Sequence, residues 1–143
     1  MGIWASLLSA CAGERPQTLG VREGRLSPCP SSPNCVTSQG GNDQHSIAPL
    51  TFDGDPASAL RELRALLAAR GDTTIVVEES NYLRVEFRTT FFVDDGEFLL
   101  SEENRRIEMR SASRVGYSDL GKNRARIEEI RRAWQKVRLA GGK

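Results

Sequence analysis

Histidine occurs once, aromatic residues make up only 6% of the chain, and no apolar run approaches the ~20 residues a membrane-spanning helix needs. Each shortage excludes something. With His45 alone, a zinc site would have to be completed by cysteines and carboxylates, since structural zinc takes about four ligands. The few aromatics are not interleaved with basic residues, so there is no stacking platform for single-stranded nucleic acid, and none is expected as a partner. Formal charge is balanced at +1, so no field of one sign selects a class of partner. There is no Gly-x-Ser-x-Gly nucleophile elbow and no internal repeat. A length of 143 residues sets one domain.

The three cysteines are more informative. Cys11 closes Leu8-Ser9-Ala10-Cys11, which resembles a bacterial lipobox, with small residues where a signal peptidase cuts. The leader before it is short and carries no Lys or Arg. We expect residues 1–11 to be a lipoprotein-type signal segment and Cys11 to carry lipid. The protein would then be exported, anchored to a membrane and facing the periplasm or cell surface. Cys29 and Cys35 are near neighbours in Cys-Pro-Ser-Ser-Pro-Asn-Cys. An exported protein would oxidise them, so a disulfide is expected ahead of free or redox-active thiols and ahead of metal. No cofactor is expected.

Residues 12–55 read as an arm punctuated by prolines and glycines, with 12–24 a flexible tether and 25–139 a single α+β domain before a short tail at 140–143. Val36, Ile47, Leu50 and Phe52 would pin its second half to the core. Asp55-Pro56 opens a helix over 56–70, with Leu60, Leu63 and Leu67 at helical spacing. Thr73–Glu79 and Tyr82–Arg88 read as strands around Ser80-Asn81, the second alternating cleanly. Glu97–Leu100 and Arg105–Arg110 read as a further pair. Between Thr89 and Gly96 two readings stand open: a hairpin at Asp95-Gly96, or a strand continued through Phe91-Phe92-Val93. Leu120–Leu139 is the last helix, with an apolar stripe of Ile127, Ile130, Trp134 and Val137 on an otherwise basic surface. The architecture expected is a four-stranded antiparallel meander with two helices packed on one face and a disulfide-closed N-terminal arm.

Three separated motifs carry a resemblance. They are Arg25-Leu26-Ser27-Pro28-Cys29-Pro30-Ser31-Ser32-Pro33-Asn34-Cys35-Val36, then Phe92-Val93-Asp94-Asp95-Gly96-Glu97-Phe98, then Arg110-Ser111-Ala112-Ser113-Arg114-Val115-Gly116-Tyr117-Ser118-Asp119-Leu120-Gly121-Lys122-Asn123-Arg124. In this order they resemble the bacterial domain-of-unknown-function family numbered 1499, over residues 25–138. His45 followed by Pro49 fits the same pattern. Gly96 departs from it, standing where an apolar residue is usual. The resemblance implies an envelope-associated or lipid-anchored protein and brings no activity and no catalytic residue.

The segment 110–124 is the densest collection of polar groups. Arg110, Ser111, Ser113, Arg114, Asn123 and Arg124 converge where a strand hands over to a helix, whose N-terminus offers free N–H donors. An anion-binding surface is expected there, with Arg114 in it. The plainer expectation is that Ser118 or Asp119 caps the helix and Arg114 pairs with Asp94 or Asp95. Should the arm cover the charged sheet face, Arg110 becomes a buried cation in need of a partner. The function expected is a non-enzymatic binding or assembly module for an envelope protein or an anionic ligand. The alternative is a small hydrolase using His45, Asp94 or Asp95, and Ser111. The basic face of the last helix, Lys122 to Arg138, reads as a solvated surface or a contact for anionic headgroups.

Overall fold

The computed structural model describes residues 13–141; Cys11 lies outside them. The elements run β1 (Val21–Arg22), β2 (Arg25–Leu26), β3 (Cys35–Thr37), β4 (Leu50–Thr51), α1 (Pro56–Ala68), β5 (Thr73–Glu78), β6 (Tyr82–Arg88), β7 (Val93–Ser101), β8 (Arg106–Ser113) and α2 (Lys122–Gly141).

Helix α1 starts where its cap dictates: an Asp55 carboxylate oxygen accepts from the Ser58 backbone N–H, and Pro56 occupies the first turn. Ala59, Leu60, Leu63 and Leu67 are its buried stripe. The strands β5 to β8 form the expected antiparallel meander, but the sheet is larger than four strands. Its order is β3-β8-β7-β6-β5, and β4 also pairs with β8, so the arm supplies two short strands in tandem along one edge. The chain turns at Thr89–Phe92, where Thr89 N–H donates to the Phe92 carbonyl. Asp95 and Gly96 therefore lie inside β7, paired with Glu86 and Val85. Gly96 is required there by a neighbour: a Cβ would meet the Phe87 ring at 2.5 Å and Val85 Cγ2 at 2.8 Å. The ring occupies the space that a side chain at 96 would fill.

Strand alternation sends Leu83, Val85, Phe87, Phe98, Ile107 and Met109 to one face. There they pack with α1, with Ile127, Ile130 and Trp134 of α2, and with Val36, Ile47, Leu50 and Phe52 of the arm. Both helices thus cover the same face.

The other face is covered too, by the first half of the arm. From Gly13 on, the segment read as a tether lies against the sheet. Arg15 reaches Glu86 (2.8 Å), Gly20 N–H donates to Glu97 (2.8 Å), and the β1–β2 hairpin sets Leu26 against Tyr82 and Leu99. Cys29 and Cys35 form the expected disulfide, with Cα atoms 5.7 Å apart, and Cys35 opens β3. The second half of the arm is held by α2, whose arginines are not a solvated stripe. Arg124 donates to the carbonyls of Gln44 and Ser46, Arg131 to those of Ala48 and Pro49, and Arg138 to Asp53.

Candidate anion-binding site

The period of two along β8 divides the polar cluster between the two faces of the sheet. Ser111 and Ser113 point toward the helices. Ser111 Oγ donates to Asn123 Oδ1 (2.6 Å), and Asn123 Nδ2 donates to Ser113 Oγ (3.0 Å) and Asp119 (2.8 Å). Asp119 also accepts from the backbone N–H groups of Gly121 and Asn123, capping α2. Burial works against its ionisation, yet these hydrogen bonds hold its pKa below the ordinary value. The helix N-terminus is satisfied by the chain's own carboxylate. Asp94, on the same face, pairs with Arg126 at 2.8 Å, whose guanidinium lies 4.6 Å over the Phe87 ring.

Arg114 points to the arm face and is fully engaged. Nε and Nη2 take Asp95 in a two-pronged bond (2.8 Å each), and Nη2 also reaches Glu86 (2.6 Å). The bond to Asp95 raises its pKa against the opposing effect of burial. Arg124, as described, holds arm carbonyls. His45 is buried, with Nε2 bonded to the Ser32 carbonyl at 3.0 Å. The structure thus ties each member of the hydrolase set to a different partner: His45 to Ser32, Ser111 to Asn123, Asp94 to Arg126 and Asp95 to Arg114. Among the described residues no group of three or more His, Cys, Asp or Glu is arranged to hold a metal.

Arg110 is the exception among these cations. It lies on the arm face, buried, with only 6% of its side chain exposed. A guanidinium has five N–H donors. Here one Nη donates to the Pro28 carbonyl at 3.4 Å, the other lies 3.6 Å from Glu97, and Nε has no partner among the described residues. Burial pushes its pKa down, against the pull of Glu97 and Asp95.

The sheet register explains the shortfall. Arg84, Glu97 and Arg110 face one another directly across β6, β7 and β8. Glu97 lies between the two cations in register and within ion-pair distance of Arg110, and it already accepts from Tyr82 Oη (2.5 Å) and Gly20 N–H through its other oxygen. The buried side-chain atoms left without a hydrogen bond among the described residues all lie in this row: Arg84 Nε, Glu97 Oε1 and Arg110 Nε. Burial, and then the bond to Glu97, raise the Tyr82 pKa, which keeps the phenol a donor.

A cavity of about 420 Å³ opens above Arg110, between the sheet and the arm. Its walls include Leu19, Pro28, Cys29 and Asn34 from the arm and Asp95 and Ala112 from the sheet. The disulfide therefore shapes its rim. The sequence motif singles out Arg110 as a site residue but not Glu97, Tyr82 or Glu86. The signal for Glu97 is the alternation Asp95-x-Glu97, once β7 is extended back to Val93, and that for Tyr82 and Glu86 is the alternation of β6.

An antiparallel sheet has helices on one face, a disulfide-bearing arm on the other and, beneath that arm, a buried arginine short of hydrogen-bond partners; together they define a small α+β domain. Residues 25–134 match the family described as "Protein of unknown function (DUF1499)", and the chain belongs to that family. No curated protein and no solved structure matches the chain.

Proposed function

We propose that this protein is an exported bacterial lipoprotein, anchored through Cys11, whose domain binds a small carboxylate in the cavity beneath the arm. The observation that carries the binding role is Arg110: a buried guanidinium short of hydrogen-bond partners that lines a cavity large enough for a ligand. A carboxylate is the complement of a guanidinium, since it can accept two parallel N–H bonds, and taking Nε as well as an Nη would require the Arg110 side chain to turn toward the cavity. It would also neutralise the excess cation in the Arg84–Glu97–Arg110 row. The apolar arm walls suit a ligand whose remainder is aliphatic.

The test is a titration of the full chain with acetate and with chloride, reading the Arg110 Nε–H resonance. Acetate should shift it saturably and chloride should not; acetate should also shift the Ala112 amide, which borders the cavity, and Arg110→Lys, which lacks the planar fork, should lose that second shift. A resonance unmoved at about 100 mM acetate, where even a Kd of about 10 mM gives near-full occupancy, would mean that water alone fills the cavity. Anchoring is tested separately: Cys11→Ser should abolish labelling by a fatty-acid probe and release the protein from membranes.

A further inference from the structure

We infer that the end of the sheet bearing Phe91, Phe92, Tyr117 and Leu120 lies against a lipid bilayer, an orientation that rests on anchoring through Cys11. These side chains are exposed by 74, 46, 73 and 89%, respectively. They come from two connections, the β6–β7 turn and the β8–α2 loop. The pairs Arg88 with Val93 and Asp94 with Ser113 bring both to one end of the sheet. Phe92, Leu120 and Lys122 line a common cleft of about 160 Å³, and Lys122 Nζ sits 6.0 Å from the Phe92 ring. Leu120 has φ +57, a left-handed conformation that costs a side-chain-bearing residue roughly 1–2 kcal/mol. Scattered exposed apolar residues need no explanation, but a cluster at one pole of a small domain does.

The course of the chain names the occupant. Gly13 packs against the same pole: a Cβ there would meet Val115 Cγ1 at 2.7 Å and Arg114 Cβ at 3.0 Å. Val115 is itself part of the Phe92–Leu120 cleft. Cys11 stands two residues before Gly13, and two residues of chain span at most about 7 Å. Acyl chains on Cys11 would therefore bring the headgroup layer to this pole. The opposite pole, with the Ser80-Asn81 and Ser101–Asn104 turns, lies a strand length away, about 25 Å. Aromatic rings with a neighbouring lysine are the side chains that settle at a membrane interface, apolar body inward and amine at the headgroups. The arm cavity would then face along the membrane surface, with Cys29 and Pro30 on its rim.

The experiment uses the lipidated full chain in vesicles of phosphatidylethanolamine and phosphatidylglycerol with brominated acyl chains. Tryptophan is introduced by Phe91→Trp, Tyr117→Trp and, at the far pole, Asn104→Trp. Trp134 is buried and gives the same background in each, and Trp4 precedes Cys11 and leaves with the leader when Cys11 becomes the mature N-terminus. Emission from the first two should fall about twofold or more, and that from Asn104→Trp should not change. If mass spectrometry finds the acyl group on Cys11 and neither pole is quenched, the orientation is wrong while the anchor stands. If no acyl group is found, anchoring is wrong and the orientation falls with it. A photo-cross-linker at position 91 that captures a protein and no lipid would also overturn it.

Discussion

On the helix side of the sheet, Val85, Phe87, Phe98 and Met109 meet Leu63, Leu67, Ile127 and Ile130, a dry core. One residue along in each strand, on the arm side, stand Glu86, Glu97 and Arg110, buried as deeply. The same sheet is thus covered twice by different physics. Helices bring apolar stripes, and burial there is favourable in any packing that excludes water. The arm brings backbone N–H groups, Arg15 and a disulfide, and burial there holds only while each charge keeps its partner. The first arrangement gives stability without selectivity. The second makes unsatisfied groups conspicuous, and of the three in the Arg84–Glu97–Arg110 row only Arg110 lines the cavity.

The contrast is tested hardest at Phe87, whose ring fills the space above Gly96. Phe87→Ala should cost about 3–5 kcal/mol in urea unfolding, enough to abolish the fold in a marginal domain. Gly96→Ala should be destabilising at the same spot, since the rigid ring would have to shift.

On the arm side the largest effect should come from Arg114. Arg114→Ala strands Asp95 and Glu86 in a buried setting, and a loss of about 3 kcal/mol is expected, visible as a lowered melting temperature. An Arg114→Ala protein of wild-type stability would mean that the arm face is wet and its ion pairs ornamental.

Acid should separate the two faces. Burial works against the Glu86 carboxylate, but Arg15, Arg114 and Arg88 outweigh it and hold its pKa at about 2, down from 4.5. Because the folded value lies below the unfolded one, its contribution is complete above about pH 4.5. It is lost as pH falls toward about 2, up to about 3 kcal/mol in all. The Gly20 and Leu26 amides, which hold the arm, should lose exchange protection in that window before the amides of β6 and β7. Simultaneous loss would mean the two layers are one cooperative unit.

The sequence made the helix side easy to read. The leucines of α1 recur at helical spacing, Tyr82–Arg88 alternates without a break, and the cap at Asp55-Pro56 is local. What covers the arm side was not legible, because the arm docks without an apolar period. Gly20 contributes a backbone N–H and Arg15 a single charge, and neither leaves a pattern. The turn at Thr89–Phe92 was obscured by Asp95-Gly96, a hairpin signal whose glycine answers instead to Phe87 across the strand. The candidate site was legible only as a dense polar segment. The split of Arg110 and Arg114 from Ser111 and Ser113 follows from strand alternation carried through Ser113, three residues beyond the expected strand end.

Breaking the disulfide should have a smaller effect than losing Arg114. Closure of so short a loop stabilises by about 2 kcal/mol on the chain-entropy account. Replacing Cys29 and Cys35 by Ser should therefore loosen the arm while β5 to β8 stay folded. Exchange protection should fall at Leu26 and hold at Val85. Acetate affinity should fall with it, because Cys29 and Pro28 form one wall of the cavity.

The smallest effect on stability belongs to Arg110, and its smallness is what separates a receptor from a strut. Arg110 and Arg114 are on the same strand, on the same face, and similarly buried. Arg114 makes three hydrogen bonds of 2.8 Å or less, so its removal leaves two carboxylates short. Arg110 makes one at 3.4 Å and keeps an unpartnered Nε, so much of the cost of burying it is uncompensated. Arg110→Met would leave Glu97 without its 3.6 Å neighbour, yet Glu97 keeps Tyr82 and Gly20. Relief of the buried cation and loss of the weak pair oppose each other. The net change should be smaller than that of Arg114→Ala. Acetate should then raise the melting temperature of the wild type and leave that of Arg110→Met unchanged, since only a ligand bound to the folded state stabilises it. A loss of about 3 kcal/mol in Arg110→Met, matching Arg114→Ala, would make Arg110 one more strut of the ion network and remove the reason for placing a ligand beneath the arm.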